Sequence, residues 1–217
     1  NRTVTTGGND GGAIYHTSGD LSISNSTFTS NYTQDNGGAI YLASAGGTFT
    51  ISGSTFNTQN NAAINAGGAI YMNNGTLTIN GTTFTGNAAS GDGGAISVVG
   101  GTLTLGNTSG VTFTSNSANN GGAIYHNSGT LLTVTNSTFT GNTATGATTG
   151  DGGAIKLDAN GSSATISGSA FTSNVAGDSG GAIFNDGGPF TVTTSVFTSN
   201  SGGAAAAGGA DGGAIRI

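Results

Sequence analysis

The chain has 217 residues, with 43 glycines, no cysteine, 6 % charged residues and a net charge of −6 at pH 7. Without cysteine, a disulfide framework and thiol chemistry are excluded, and with three basic residues nucleic acid and anionic lipid are unsuitable partners. No apolar run approaches the roughly 18 residues of a membrane span, so membrane insertion is not expected. The polar, charge-poor composition favours an extracellular or cell-surface location.

In chain order, the first recurring element is the tetrapeptide Gly-Gly-Ala-Ile, which appears eight times at intervals of 26 to 32 residues. Self-similarity at such a period is typical of solenoids. The segment predicts a strand in which Ile points inward and the next residue outward. The isoleucines are Ile14, Ile40, Ile70, Ile96, Ile124, Ile155, Ile183 and Ile215.

The second element is a short alternating run such as Leu21-Ser22-Ile23, which predicts a strand with one buried face. The third is a phenylalanine followed three residues later by a carboxamide. We expect the rings to form one internal column at Phe28, Phe56, Phe84, Phe113, Phe139, Phe171 and Phe197. The amides are expected to form a hydrogen-bonded ladder at Asn31, Gln59, Asn87, Asn116, Asn142, Asn174 and Asn200.

Turn residues separate these elements. Three residues before each Phe, the chain carries types that mostly tolerate positive φ, namely Asn25, Gly53, Gly81, Gly110, Asn136, Gly168 and Thr194. Gly pairs and β-branched residues leave no helical pattern. The sequence therefore predicts an all-β, right-handed parallel β-helix of three strands per coil, with about eight coils of roughly 28 residues. Residues 1–217 are expected to form a single solenoid domain without caps.

The pairing of Gly-Gly-Ala-Ile with Phe-x-x-Asn resembles the repeats of the polymorphic outer-membrane proteins, which are autotransporter passengers of bacterial cell surfaces. The resemblance spans nearly the whole chain. It implies a β-helical fold and a role in adhesion and surface display, with a host or matrix surface as partner.

The residue after each repeat Ile forms a predicted outward column: Tyr15, Tyr41, Tyr71, Ser97, Tyr125, Lys156, Phe184 and Arg216. Stacked exposed tyrosines can bind sugars or another protein, which leaves a carbohydrate-binding passenger as one alternative. They can equally stabilise the sheet through cross-strand contacts. We favour stabilisation.

Candidate chemistry is sparse, and we expect no enzymatic activity and no cofactor. Asp158 and Asp186 occupy the same slot in adjacent coils, and we favour the interpretation that they form a solvated acidic edge. They are also weak candidates for a metal site, in which Lys156 or calcium would neutralise the pair. The Asp or Asn before most Gly-Gly pairs is interpreted as turn chemistry. His16 and His126 are expected to be hydrogen-bonded core residues.

Two functional hypotheses remain open. The first is a structural or adhesive element that associates head-to-tail with other copies of itself, through Thr3, Val4 and Thr5 at one end and Arg216 and Ile217 at the other. The second is ice binding by a flat face of Thr-x-Thr pairs, at Thr27, Thr29, Thr83, Thr85, Thr112, Thr114, Thr138 and Thr140.

Overall fold

The computed structural model describes residues 2–3, 10–43, 45–57, 62–127, 131–147, 149–158, 162–203 and 212–217. Within these ranges the chain forms short strands, numbered β1 to β30 in chain order, and no helix. Strands of successive coils pair in parallel, and their stacking produces four sheets of a right-handed solenoid.

Each sheet collects one strand from every coil. The Ile sheet contains β2 (Ile14–His16), β6 (Ile40–Leu42), β10 (Ile70–Met72), β14 (Ile96–Val98), β18 (Ile124–His126), β22 (Ile155–Leu157), β26 (Ile183–Asn185) and β30 (Ile215–Arg216). The Thr sheet contains β3 (Leu21–Ser24), β7 (Thr48–Ser52), β11 (Thr76–Asn80), β15 (Thr102–Leu105), β19 (Leu131–Thr135), β23 (Ser163–Ser167) and β27 (Phe190–Thr193).

The other two sheets follow along the coil. The Phe sheet contains β4 (Thr27–Thr29), β8 (Thr55–Asn57), β12 (Thr83–Thr85), β16 (Thr112–Thr114), β20 (Thr138–Thr140), β24 (Ala170–Thr172) and β28 (Val196–Thr198). The short sheet contains β1 (Arg2–Thr3), β5 (Tyr32–Thr33), β9 (Ala62–Ala63), β13 (Ala88–Ala89), β17 (Ser117–Ala118), β21 (Thr143–Ala144), β25 (Val175–Ala176) and β29 (Ser201–Gly202).

The prediction of three strands per coil was wrong, because each coil has four. The missed strands are the two-residue strands of the short sheet, which are too short to show a period-two pattern. Their second residue is small and buried, as at Ala89, Ala118, Ala144 and Ala176. With seven strands in two sheets and eight in the others, the solenoid has about seven complete turns, close to the eight coils expected.

The internal Phe column is confirmed. Its rings stack in register, with centroids 4.7–4.9 Å apart and interplanar angles of 2–7°. The five central rings are fully buried, and Phe28 and Phe197 at the two ends are partly buried. The repeat isoleucines line the same core, with those of the six central coils fully buried. Burial of each such side chain contributes roughly 1.5–3 kcal/mol to folding.

The carboxamide ladder is confirmed from Asn87 to Asn200, and Asn31 is buried at the same position of its own coil, whereas Gln59 lies outside the described residues. Asn116 shows the pattern: its Nδ2 donates to the Phe84 carbonyl of the previous coil at 3.1 Å and to Asn142 Oδ1 of the next at 2.9 Å. Its Oδ1 accepts from the backbone N–H and the Nδ2 of Asn87 at 2.9 and 3.0 Å. Asn116, Asn142 and Asn174 therefore each join three coils through their side-chain amides.

Positive φ marks the corners. The position three residues before Phe has φ of 47–56° in six coils, as predicted, but Gly110 does not adopt it and Gly106 (φ 74°) does instead. A second corner, directly before each ladder Asn, was not predicted and is occupied by Ser or Gly, such as Ser115 (φ 54°) and Gly141 (φ 62°).

The Gly-Gly pair is required sterically. At Gly93, φ is 70° and a Cβ would lie 2.2 Å from the Ile96 carbonyl oxygen. At Gly94 a Cβ would lie 2.2 Å from the Gly122 carbonyl oxygen of the next coil. The first glycine thus permits the turn and the second permits close stacking of coils.

Candidate functional site: the outer column of the Ile sheet

The predicted outward column is in register from coil to coil, and we call it the outer column. Paired Cα positions run through Tyr15, Tyr41, Tyr71, Ser97, Tyr125, Lys156, Phe184 and Arg216. Its exposure is uneven, falling from 56 % at Tyr15 to 8 % at Tyr125 and 4 % at Phe184. The column points away from the core, yet much of it is covered.

The first three coils carry a stack of tyrosines. The ring centroids of Tyr15 and Tyr41 are 5.2 Å apart, and those of Tyr41 and Tyr71 are 5.1 Å apart. Burial, followed by the nearby charge of Asp10, raises the pKa of Tyr41 to about 12. Burial and the charges of Asp10 and Asp35 also raise the pKa of Tyr71. These two phenols therefore stay protonated at neutral pH.

Acid and amide side chains form a network among these coils. Asn36 Nδ2 donates to Asp10 Oδ1 at 3.1 Å and to Asp35 Oδ1 at 2.8 Å, and Asn65 Nδ2 donates to Asp35 Oδ1 at 2.6 Å. Burial raises the pKa of Asp10, although its hydrogen bonds to Asn36 oppose this shift. The network leaves carboxylate and amide groups fixed within electrostatic range of the tyrosines.

The side chains in the middle of the outer column are shielded from solvent. Ser97 is buried between the registers of Tyr71 and Tyr125, and its Oγ has no hydrogen-bond partner among the described residues. The Tyr125 hydroxyl donates to Asp158 Oδ2 at 2.5 Å. Burial, this hydrogen bond and the Asp158 charge raise the pKa of Tyr125.

The last coils contain the column's cations. Lys156 Nζ lies 2.9 Å from Asp151 Oδ2 and 3.3 Å from Asn120 Oδ1. The Phe184 ring follows in register, with Lys156 Nζ 5.3 Å and Arg216 Cζ 4.7 Å from its centroid. Two cations therefore flank one aromatic ring.

The alternative in which Lys156 neutralises Asp158 and Asp186 does not match the ion pair that the structure contains. Lys156 instead pairs with Asp151, and Asp158 accepts the Tyr125 hydrogen bond. Asp186 is exposed. Within the described ranges, no group of three or more His, Cys, Asp or Glu side chains could hold a metal ion.

The Asp and Asn residues before Gly-Gly do more than cap their own turns. Asn36 donates to Asp10, and Asn120 Nδ2 donates to Asp92 Oδ1 at 2.8 Å in the neighbouring coil. Because adjacent coils are about 4.8 Å apart, two aspartates in consecutive positions would repel. The alternation of Asp and Asn replaces that repulsion with a hydrogen bond.

The two histidines differ in environment. His126 is fully buried in the core, and burial lowers its pKa to about 4. His16 lies in the same inward column but is only half-buried, and its Nε2 is 3.0 Å from the Gly19 carbonyl oxygen. Equivalent positions of two coils therefore hold a neutral histidine in the core, His126, and a histidine near the surface, His16.

The threonine pairs of the Phe sheet lie in register on its outer face. Thr83 and Thr85 pair with Thr112 and Thr114, which pair with Thr138 and Thr140. In the first coils, Thr27 and Thr29 pair with Thr55 and Asn57, and the Thr29 hydroxyl donates to Asn57 Oδ1 at 2.7 Å.

The predicted association ends are only partly described. The backbone of Thr3 pairs with Thr33, whereas Val4 and Thr5 lie outside the described residues. Arg216 pairs with Phe184, and the side chain of Ile217 is 78 % exposed.

Sequence comparison agrees with this architecture. The family model described as a right-handed β-helix region matches residues 1–160, about three quarters of the chain. The chain belongs to the right-handed β-helix family. In this β-helix, residues 168–186 also match the Chlamydia polymorphic membrane protein repeat, a span that includes Phe171, Asn174 and Ile183. The resemblance seen in the motifs is therefore confirmed, and the two family matches together suggest a surface-type β-solenoid.

Neither the curated proteins nor the solved structures gave a significant match. In the described parts of the β-helix, no helix is long and apolar enough to cross a membrane.

Sequence reasoning missed the cluster of Asn120, Asp151 and Lys156. The first two were recognised as occupants of the slot before Gly-Gly, and Lys156 as part of the outward column. A signal was present, because that slot lies five residues before the outward position in every repeat. A lysine at the outward position can therefore reach back to the slot residues of its own coil and of the preceding coil.

Proposed function

We propose that this β-helix is a non-catalytic, rigid adhesive rod of a cell surface, and that it contacts carbohydrate through its first coils. The observation that carries the proposal is the partly exposed stack of Tyr15, Tyr41 and Tyr71 beside Asp10 and Asp35. Protonated phenols about 5 Å apart and nearby carboxylates supply donors and acceptors in a fixed row. A polyhydroxylated chain presents the complementary groups, and the outer face of Tyr15 adds an apolar contact.

The rod-like role is supported by the interior. The Phe column and the carboxamide ladder pass through consecutive coils, so neighbouring coils share both packing and hydrogen bonds. Stability in such a solenoid is approximately a sum of nearest-neighbour terms, which suits an element that must resist extension.

The non-catalytic role is supported by how the acids are used. Asp10, Asp35, Asp92 and Asp158 each accept a hydrogen bond from a neighbouring side chain, and Asp151 pairs with Lys156. His126 is held inside the core. These groups serve contacts within and between coils, which is a structural use of titratable residues.

Retention on polysaccharides tests the adhesive role. The chain is incubated with insoluble cellulose, chitin and peptidoglycan and with an array of soluble glycans. Tyr15→Ser/Tyr41→Ser is compared with the control Thr138→Ser/Thr140→Ser, which lies on the Phe sheet. We expect binding to at least one glycan by the wild type and the control, and at least tenfold weaker binding by the tyrosine variant. Retention on none, or equal retention by all three proteins, would contradict the proposal.

Head-to-tail association with other copies stays a prediction. The outermost strand of each sheet pairs on one side only within the described chain, so a further coil of the same polypeptide or a second copy would extend the sheets. Light scattering over a hundredfold range of concentration tests the second case: growing mass supports association, and a constant monomer mass refutes it.

Ice binding is the second candidate. It is favoured by the in-register threonine pairs of the Phe sheet, where the coil spacing seen in the Phe column repeats along the rod. Such a surface is a regular array of hydroxyl and methyl groups. Thermal hysteresis that disappears in Thr85→Lys/Thr114→Lys would support this function, and its absence in the wild type would eliminate it.

A further inference from the structure

Three polar groups from two adjacent coils converge on the outer column. The Lys156 Nζ lies 3.3 Å from Asn120 Oδ1, the oxygen of a carboxamide in the preceding coil, and 2.9 Å from Asp151 Oδ2. An amine and an amide held next to a carboxylate are the components of a transamidation.

Each remaining group is placed for that reaction. The Asp151 backbone N–H donates to Asn120 Oδ1 at 3.3 Å, where negative charge would develop when the amide carbon is attacked. Asp92 Oδ1 accepts from Asn120 Nδ2 at 2.8 Å, which fixes the orientation of the carboxamide. Asp151 Oδ2 is within direct reach of the lysine protons.

The surroundings limit access of water. The side chains of Lys156 and Asp151 are only 14 % and 13 % exposed. Tyr125 and Phe184 occupy the neighbouring registers of the outer column, and the Phe184 centroid lies 5.3 Å from Nζ. A closed site of this kind favours aminolysis over hydrolysis of the amide.

We propose that Lys156 and Asn120 form an intramolecular isopeptide bond after the chain has folded. The Nζ lone pair bonds to Asn120 Cγ, and the Cγ–Nδ2 bond breaks. The two protons that the lysine ammonium gives up pass by way of the Asp151 carboxylate to Nδ2, which leaves as ammonium. One amide replaces another, no oxidant or reductant is needed, and Asp151 is regenerated.

The fold supplies the driving geometry. Groups held within contact distance react as though at very high local concentration, with effective molarities of about 10⁵–10⁸ M in well-oriented systems. Release of ammonium makes the step irreversible in dilute solution. The product would tie the coil of Asn120 covalently to the coil of Lys156, at one point of a rod otherwise held by noncovalent contacts.

The basic residues of the chain make the test simple. Lys156 is its single lysine, so a lysine-specific protease can cut the denatured 217-residue chain at one place. An acylated lysine is not recognised. We expect the wild type to resist cleavage and Asn120→Ala to yield two fragments, residues 1–156 and 157–217. Complete cleavage of the wild type would overturn the proposal.

Intact mass gives an independent readout. Isopeptide formation lowers the mass of the chain by one ammonia, about 17 Da. Cyclisation of Asn120 onto the following Gly121 nitrogen would lower it equally, so Lys156→Arg separates the two reactions. We expect the full sequence mass for Lys156→Arg, and persistence of the loss in that variant would overturn the proposal.

The role of Asp151 is tested by rate. Chain purified from a denaturant is refolded, and loss of protease sensitivity is followed over time for the wild type, Asp151→Asn and the control Asp158→Asn. We expect at least a hundredfold slower reaction in Asp151→Asn and little change in Asp158→Asn, with circular dichroism confirming that both refold. Equal rates in all three would refute the assignment of Asp151 as base.

Discussion

The inner Phe column and the outer column of the Ile sheet run along the same solenoid but differ in regularity. The Phe rings keep a spacing of 4.7–4.9 Å through every pair. The outer column changes from stacked tyrosines to a buried serine and then to cations around Phe184. Both columns share one backbone register, so the difference lies in the side chains and what surrounds them.

This difference teaches how a solenoid separates stability from function. A column inside the coil must repeat because each ring packs on the same ring in the next coil, and any change is felt by two neighbours. In a column outside the coil, the backbone positions are fixed but the side chains can differ from coil to coil. It can therefore hold contact surfaces or reactive groups without disturbing the stack.

Removal of one central ring should have the largest effect. Phe113→Ala creates a cavity between Phe84 and Phe139, and we expect the free energy of unfolding to fall by about 3–5 kcal/mol. Thr114→Ala, one residue along on the outer face, serves as control and should cost less than about 1 kcal/mol. Urea denaturation measures both, and similar losses would contradict the distinction between inner and outer positions.

Interruption of the carboxamide ladder should come next. Asn142→Ala removes one hydrogen-bond partner each from the buried Asn116 Nδ2, Asn174 Oδ1 and the Phe113 carbonyl, at a cost of about 2–4 kcal/mol. The exposed Asn107→Ala is the matched control and should stay within about 0.5 kcal/mol of the wild type. Equal stability of the two variants in urea would show that the ladder contributes little.

Protonation of His126 should produce a smaller and pH-dependent effect. Its pKa is about 4 in the fold against 6.5 for the ordinary side chain, so the unfolded chain binds a proton that the folded chain does not. The free energy of unfolding should therefore fall between pH 6.5 and pH 4, by about 2–3 kcal/mol.

His126→Leu, which matches Leu157 in the next coil, should remove this contribution. Melting temperatures of both proteins from pH 7 to pH 4 provide the measurement. Parallel curves would contradict the burial of a neutral imidazole.

Removal of the exposed end of the tyrosine stack should affect stability least. Tyr15 stacks on one aromatic neighbour and is 56 % exposed. Tyr15→Ser should therefore lower the free energy of unfolding by about 0.5 kcal/mol. Tyr125→Phe, which deletes the hydroxyl bonded to Asp158 at a covered position, should cost about 1–2 kcal/mol. The reverse order in thermal melts would show that the exposure gradient is wrong.

The repeat made most of the fold predictable. Gly-Gly-Ala-Ile and Phe-x-x-Asn are local signals, and each reflects one physical requirement. The first requires close approach of the backbone, as at Gly94, and the second requires a ring that stacks inside the coil, as at Phe113. The short sheet was not predictable in the same way, because two residues such as Ala118 and its neighbour carry no period. The chain turns into this short strand at the positive φ of Ser115, and serine is not a residue type that indicates a positive φ.

The outer column was predictable in position but not in contacts. Residue spacing alone assigned Lys156 to this column, yet its partner depended on how far the side chain reaches. Lys156 pairs with Asp151, while Asp158 accepts a hydrogen bond from Tyr125 of the preceding coil. Such a distribution of partners within and between coils is a property of the folded structure.

The central claim is the in-register stacking of coils, and engineered cysteines test it most directly because the chain has none of its own. Thr85 and Thr114 are Cα partners in adjacent strands, about 4.8 Å apart and within the range that a disulfide spans. Thr85 and Thr112 are two residues out of register, about 8 Å apart and beyond it. We predict rapid oxidation to an intramolecular disulfide in Thr85→Cys/Thr114→Cys and no disulfide in Thr85→Cys/Thr112→Cys; equal oxidation of both pairs, or of the second alone, would contradict the account.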